Sequence, residues 1–297
     1  MNLHDFEYFN TLGNLLSFTA AAKYSGVSQP TITYAVKRLE KHYDCDLIYK
    51  DPSHRTVALT NEGKVLKMHI ENILDELALI ERAIEHSKNK QIPIGFPPII
   101  RVKILTQLLQ KKENIDFIAN FNFISGGSEE LLAKLLSGHI DFSLIGSITP
   151  LNHPNLIVKQ LYEREFYIFV SKNNPLALRE EISFGEALEY PFILLDENYV
   201  HMEAFRNLNE KYHKKAKILL SSSDIQTTGQ LVKSNVGITL MTDFLPFADM
   251  EGLVKVPLIA EDKQTFHVQY SYLKNAFLSE KLQELILLLD GLDESKK

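Results

Sequence analysis

The stretch SFTAAAKYSGVSQPTITYAVKRLE, residues 17–40, reads as two short helices joined by a tight turn. Ser17 stands just ahead of an apolar pattern, where its hydroxyl can cap a first helix over residues 18–24. Gly26 follows the end of that helix, at a point that calls for a left-handed backbone. Ser28 then caps a second helix. Pro30 sits in its first turn, where a missing N–H does little harm. Ile32, Val36 and Leu39 fall on one stripe at helical spacing and are expected to be buried, while Ala21 and Ala22 are small enough to let the two helices cross closely.

The opposite side of the second helix carries Gln29, Thr31, Thr33, Tyr34, Lys37 and Arg38. A helix with such a face suits the DNA major groove, with its N-terminal residues at base edges and its cations on phosphates. Gln29 can pair with adenine, Thr33 and Tyr34 can touch bases or phosphates, and Lys37 and Arg38 can fix register. Spacing alone is met equally well by an ordinary helical hairpin with a solvated face.

Working outward, residues 3–16 form a helix in which Leu3, Phe6, Phe9, Leu12 and Leu16 recur at steps of three and four, as a lid on the helix pair requires. Residues 46–60 hold two short apolar runs around Asp51-Pro52-Ser53, which is turn chemistry, so a hairpin or wing is expected with His54 and Arg55 at its tip. Thr60 caps a long helix over residues 61–87. Its Leu66, Ile70, Ile73, Leu77, Ile80 and Ile84 advance by alternating steps of four and three, which makes an a/d seam. Such a seam can pack on its own domain or on a partner helix. It is narrow and lies between two separate domains, which favours a partner.

These residues carry a resemblance. Ser17-Phe18-Thr19-x-Ala21-Ala22, Val27-Ser28-Gln29-Pro30, Ile32, Lys37, Leu39-Glu40, Asp46-Leu47-Ile48-Tyr49 and Leu59-Thr60-x-x-Gly63 are similar to the N-terminal domain of LysR-type transcriptional regulators. The match is dense over the first 65 residues. It departs from the family at Thr33 and Tyr34, where relatives often have Ser and Arg, so the preferred base sequence does not carry over. The resemblance implies a winged helix-turn-helix over residues 1–60 with DNA contacts from Ser28, Gln29, Pro30, Thr31, Thr33, Tyr34, Lys37, Arg38 and Arg55. It also implies a linker helix over 61–90 that pairs two chains.

Residues 91–297 alternate short apolar strands with helices, the pattern of an α/β domain. Strands are expected at 92–96, 117–124, 142–145, 166–170, 192–195, 216–221, 237–241 and 267–273. Helices are expected at 99–110, 129–136, 202–212, 225–234 and 279–289. Ser125-Gly126-Gly127-Ser128, Gly138-x-Ile140-Asp141-Phe142, Val170-Ser171 with Asn174-Pro175-Leu176, and Val236-Gly237-Ile238 resemble phrases of the LysR-type effector domain, in the same order. The resemblance implies a periplasmic-binding-protein-like (type 2) pair of subdomains, I over 91–162 and 268–297, II over 163–267, with a small-molecule effector between them.

In open α/β sheets ligands sit beyond the carboxyl ends of strands, where helix N-termini suit carboxylates. On that ground Ser125, Ser128, His201 and Thr227 are candidate effector contacts, with Pro98 shaping the wall. Each has a plainer reading: the Ser125–Ser128 phrase as a turn and helix cap, His201 as a surface histidine. Pro97-Pro98 stands where many relatives have Ser or Thr, which removes donors from that helix start. Arg101 is the nearest cation in sequence. The resemblance to the LysR-type family implies a small carboxylate as the effector class.

Composition narrows the rest. The chain has 297 residues, 45% hydrophobic and 24% charged, with a net charge of −6. Residues 1–60 hold six Lys/Arg against six Asp/Glu, so DNA binding should lean on placed contacts and dimerisation rather than bulk charge. The single cysteine, Cys45, excludes a disulfide within the chain and a Cys-based zinc site, and its neighbours Asp44 and Asp46 disfavour a thiolate. MNLHDFEYFN is not a signal peptide, and no apolar run reaches membrane-spanning length. A bacterial cytoplasmic protein without cofactor or metal is expected. There is no G-x-S-x-G, P-loop, H-E-x-x-H or post-strand G-x-G-x-x-G, which argues against an enzyme. The alternatives are a solute-binding protein and a small-molecule α/β enzyme. The favoured reading is a homodimer, pairing into a homotetramer, that binds an interrupted inverted repeat in double-stranded DNA and acts on RNA polymerase.

Overall fold

The computed structural model describes residues 1–51, 56–244 and 250–292, and the chain divides into two units, Met1–Arg82 and Ala83–Lys297. The first is built from α1 (Leu3–Leu15), α2 (Phe18–Tyr24), α3 (Gln29–Tyr43), the antiparallel pair β1 (Ile48–Asp51) and β2 (Thr56–Leu59), and most of α4 (Asn61–Lys88). The caps expected at Ser17 and Ser28 are made, each hydroxyl accepting the N–H three residues on, from Ala20 and Thr31. Gly26 has φ 68°. Ile32, Val36 and Leu39 are buried with Phe9, Leu12, Ala21, Leu47 and Ile70 in one core. In α1 the lid is narrower than its spacing suggests: Leu3 and Leu16 lie at the helix ends and are exposed.

A second feature of α1 ties it to α3. Asn2 and Asp5 form a reciprocal capping box, each backbone N–H bonded to the other's side chain at 3.0 Å. The Asp5 carboxylate is fully buried and also accepts a fork from Arg38, whose Nε lies 3.1 Å from both carboxylate oxygens while an Nη reaches one of them. Burial pushes the Asp5 carboxyl upward. Arg38 and the Asn2 N–H outweigh it, and the group ends below its ordinary pKa.

Thr60 starts α4 by accepting the Gly63 N–H at 2.9 Å and giving its own proton to the Asp46 carbonyl at 2.7 Å. Gly63 is required by close approach, since a Cβ there would stand 2.1 Å from the Leu47 carbonyl oxygen. Beyond it the expected seam divides. Ile70 is fully buried in the core of its own unit and so does not serve a partner, and Leu66 is half-buried against the same core. The helix passes over α1–α3 here, and its own domain claims that face. Further along, Ile73, Ile80 and Ile84 are exposed and Leu77 is half-buried.

The second unit opens with β3 (Ile92–Gly95), α5 (Pro98–Leu109), α6 (Asn114–Ile118), β4 (Phe121–Ile124), α7 (Ser128–Leu136) and β5 (Phe142–Ser147). β3 pairs in parallel with both β4 and β5, as βαβ crossovers demand. The sequence reading of one strand over 117–124 is corrected: its first half is the end of α6, whose last carbonyls are taken by the Asn120 side chain. Next come β6 (Leu156–Ser171), α8 (Phe184–Ala187), β7 (Phe192–Leu195), α9 (Val200–Lys211), β8 (Ile218–Ser222), α10 (Ile225–Lys233), β9 (Thr239–Thr242), β10 (Leu253–Pro257), β11 (Thr265–Leu273) and α11 (Glu280–Asp290).

β6 runs 16 residues, far longer than the five expected. Its first part, Leu156 to Glu165, pairs with β11, and β11 pairs with β5. From Phe166 onward it pairs with β9 and β10. One strand therefore belongs to two α/β halves, and together with β11 it makes the passage between them. A separate parallel pair, β7 and β8, lies on the second half. Phe184, Phe192 and Phe205 pack there with ring centroids 5.1–5.8 Å apart. The buried Asp262 carboxylate receives the Phe184 N–H, Lys211 and the Tyr212 hydroxyl.

Candidate functional sites

On α3 the structure separates side chains already engaged from those left free. Ser28 caps the helix and shares a hydrogen bond with the Thr31 hydroxyl at 2.9 Å. Thr33 donates to the Gln29 carbonyl at 3.2 Å, so its methyl group and the acceptor side of its hydroxyl remain to meet a partner. Arg38, read from sequence as a phosphate contact, is bonded to the buried Asp5 carboxylate, and its side chain stays 46% exposed. The side chains of Gln29, Tyr34 and Lys37 are exposed and bond to no other described residue, and Pro30 is exposed beside them. Arg55, and His54 with it, lies outside the described residues. Replacing Lys37 with alanine should weaken DNA binding alike for all sequences and lower the slope of log affinity against log salt by about one. A salt series of gel shifts checks this, with the melting midpoint unchanged.

In the second unit the starts of α5, α7 and α9 line one cavity of about 250 Å³. Their N-cap residues are Pro97, Gly127 and Tyr199, none of which makes a side-chain cap, whereas Ser17, Ser28, Ser183, Asp224 and Ser279 cap other helices. Three sets of free N–H groups and three positive dipole ends therefore meet in the same space. Of the expected contacts, Pro98, Ser128 and His201 line it. The Ser128 oxygen accepts the Gly146 N–H at 2.9 Å and keeps its proton to give. Ser125 is exposed and not in the lining, because the turn after it brings Gly126 and Gly127 to the wall instead. Thr227 is also exposed and outside it: it is drawn to the Asp224 carboxylate, the cap of α10, at 2.5 Å, and Ser223 takes the lining position. Arg101, on α5, is not in the lining either.

His201 is not a surface histidine. It is 3% exposed, it packs against the rings of Phe166 and Phe266 at centroid distances of 5.3 and 5.6 Å, and neither ring nitrogen has a hydrogen-bond partner. Burial alone pushes its pKa down to about 3, so the ring is neutral near pH 7. Each orphaned nitrogen costs about 1–3 kcal/mol, which a ligand able to bond to it would recover. Sequence reasoning missed Glu130, Asp196 and Phe266 in the wall. Asp196 follows the last residue of β7, the place where ligand contacts gather, and that position was the available signal.

Two family models match. One, described as a bacterial regulatory helix-turn-helix protein of the lysR family, covers residues 3–64; the other, a LysR substrate binding domain, covers residues 86–292. The chain belongs to the LysR family of transcriptional regulators. Among curated relatives of this LysR regulator, the malolactic fermentation system transcriptional activator of Lactococcus lactis is 47% identical over 98% of the present chain and 99% of its own. Of solved structures, a LysR family regulator from Pseudomonas aeruginosa aligns with TM-score 0.56 at 22% identity, covering 99% of both chains. The effector binding domain of QuiR, in complex with shikimate, aligns with TM-score 0.57 at 17% identity over 69% of this chain and 97% of its own. These structures share the fold. The LysR regulator is thus a DNA-binding protein with an effector-binding domain, and the families it matches are regulators rather than enzymes. Among its described residues no helix is long and apolar enough to cross a membrane.

Proposed function

We propose that this LysR regulator works in the cytoplasm as a homodimer, pairing into a tetramer through its effector domains, and grips an interrupted inverted repeat beside a promoter. The head is residues 1–60, the linker 61–90 and the effector domain 91–297. The linker helices pair through Ile73, Leu77, Ile80 and Ile84. Gln29, Thr33 and Tyr34 face the bases, with Lys37 on the backbone. A small carboxylate seated in the cavity closes the two α/β halves on each other, shifts the spacing of the DNA-binding heads and alters recruitment of RNA polymerase. For this the acid must bind one arrangement better than the other.

The observation that carries the reading is the cavity: three uncapped helix starts around a buried histidine with two unbonded nitrogens. Such a site suits a carboxylate and leaves a cost unrecovered without one. The relative named for the malolactic fermentation system supplies the first acids to try, malate and lactate. The test is a gel shift and footprint on DNA upstream of the regulator's own gene, with and without each acid. A shift in moderate salt, with a footprint that contracts or extends on adding acid, is expected. DNA binding that no carboxylate of a broad set alters would remove the effector half of the reading.

A further inference from the structure

The charges around the cavity pose a problem for the ligand it is suited to. Among its described lining residues there is no Lys or Arg. Two carboxylates are present: Glu130 from α7, bonded to Lys134 one turn on, and Asp196 from the loop after β7, which accepts the Asn198 N–H. Tyr199, on the same loop as Asp196, is a further titratable group in the wall, and its hydroxyl is given to the Ser223 carbonyl. The start of α5 contributes Pro97 to Ile100, none of them titratable. β6 and β11 contribute the rings of Phe166 and Phe266 against His201. An arriving carboxylate therefore meets partial positive charge at helix starts, the Asp196 carboxylate, and a Glu130 carboxylate that Lys134 counters from outside the lining. Among the described lining residues, the group able to gain a full positive charge is His201.

We propose that His201 is the counter-charge of this cavity: a carboxylic acid seats there as its anion together with one proton, which the imidazole takes from solvent. The inference rests on the effector reading of the cavity. In the free protein the ring stays neutral because it is buried, has no anion within hydrogen-bond reach, and sits in the first turn of α9, where the helix dipole repels a cation. A carboxylate in the cavity reverses the balance. Both ring nitrogens are covered in the free protein, so the ligand must ease the wall for one ring N–H to bond to the anion; the second nitrogen takes the proton, and the pair adds no net charge to the wall. The site thereby selects for acids over neutral analogues of the same shape without a fixed cation.

The sign follows from linkage. The complex holds one proton more than the separated partners, so affinity rises as pH falls, starting where the imidazolium of the complex titrates and continuing towards the low pKa of the free ring. Malate and lactate serve as probes, since their carboxyl groups stay ionised over most of the range. Titration calorimetry from pH 8 to 5.5 should show affinity tightening by up to about tenfold per pH unit in wild type, and buffers of different ionisation enthalpy should report uptake approaching about one proton. His201→Gln keeps a donor and an acceptor but cannot charge, so its binding should be flat with pH. Glu130→Gln and Asp196→Asn should keep the slope.

A flat profile for a wild-type protein that does bind acid would overturn the proposal while leaving the effector reading standing. Loss of the slope in Glu130→Gln or Asp196→Asn, with retention in His201→Gln, would overturn it too. No binding of any carboxylate at any pH would remove the effector reading itself, and this inference with it. Should His201→Gln fold poorly, nitrogen NMR of the wild-type ring decides: an imidazolium shift on adding acid supports the proposal, and a neutral shift ends it.

Discussion

Exchanging Ile80 and Ile84 for glutamate should convert the regulator to monomers and lower its affinity for a full inverted repeat by about 10²–10⁴-fold. The two side chains are 46% and 51% exposed on α4 and stand four residues apart on one face, with Ile73 and Leu77 continuing the stripe. Aliphatic groups at these intervals gain little in water and much against a second helix of the same pattern. The head carries no excess of positive charge, so one copy alone has little electrostatic hold on DNA. Joining two heads makes the second contact intramolecular, and that advantage is what the glutamates remove. Neither residue belongs to the head's core, so the melting of the head and its affinity for an isolated half-site should stay as they were. Sedimentation and gel shifts on full and half sites measure both effects. Dimers of undiminished strength would show that the exposed stripe has another use.

Loss of Arg38 should act through folding. Arg38→Ala leaves the Asp5 carboxylate fully buried without its cation. Breaking a buried pair costs about 3–5 kcal/mol, and because the Arg38 side chain is 46% exposed, solvent screening reduces this to about 2–3 kcal/mol. A melting midpoint lower by roughly 8–24 °C is expected for a domain of this size. The pH dependence has a definite sign. The folded Asp5 carboxyl lies below its ordinary pKa, so its stabilising effect is complete above the unfolded value and fades as pH falls through the folded one. Wild type and Arg38→Ala should therefore converge in stability in acid. The double variant Asp5→Leu/Arg38→Met removes both charges and should regain most of the loss. Midpoints measured against pH for the three proteins give the comparison, and an unchanged Arg38→Ala midpoint would return that side chain to DNA.

Local chemistry was legible wherever one residue type has one use. The caps at Ser17, Ser28 and Thr60, the turn at Gly26 and the stripe Ile32–Val36–Leu39 follow from neighbours within a helical turn or two. Partners distant in sequence were not legible. Asp5 and Arg38 are 33 residues apart, and nothing in either neighbourhood says that one is buried under the other. The split of the α4 stripe has the same origin: Ile70 and Ile80 look alike in sequence, and only the packing of α1–α3 tells them apart. At the cavity, which side chain turns inward depends on the backbone after it. Ser125 and Thr227 turned away where Ser128 and His201 did not.

The 16-residue β6 bears on anyone who would re-purpose the molecule. Its pairing passes from β11 to β9 and β10 without a break in the chain, so the outward crossing between the halves offers no loop that scissors could use. A chimaera that swaps one half for a relative's would have to be spliced inside a hydrogen-bonded ladder, where a slip of one residue turns every side chain to the wrong face. Transplants that keep both halves together, joined near the end of α4, avoid that seam.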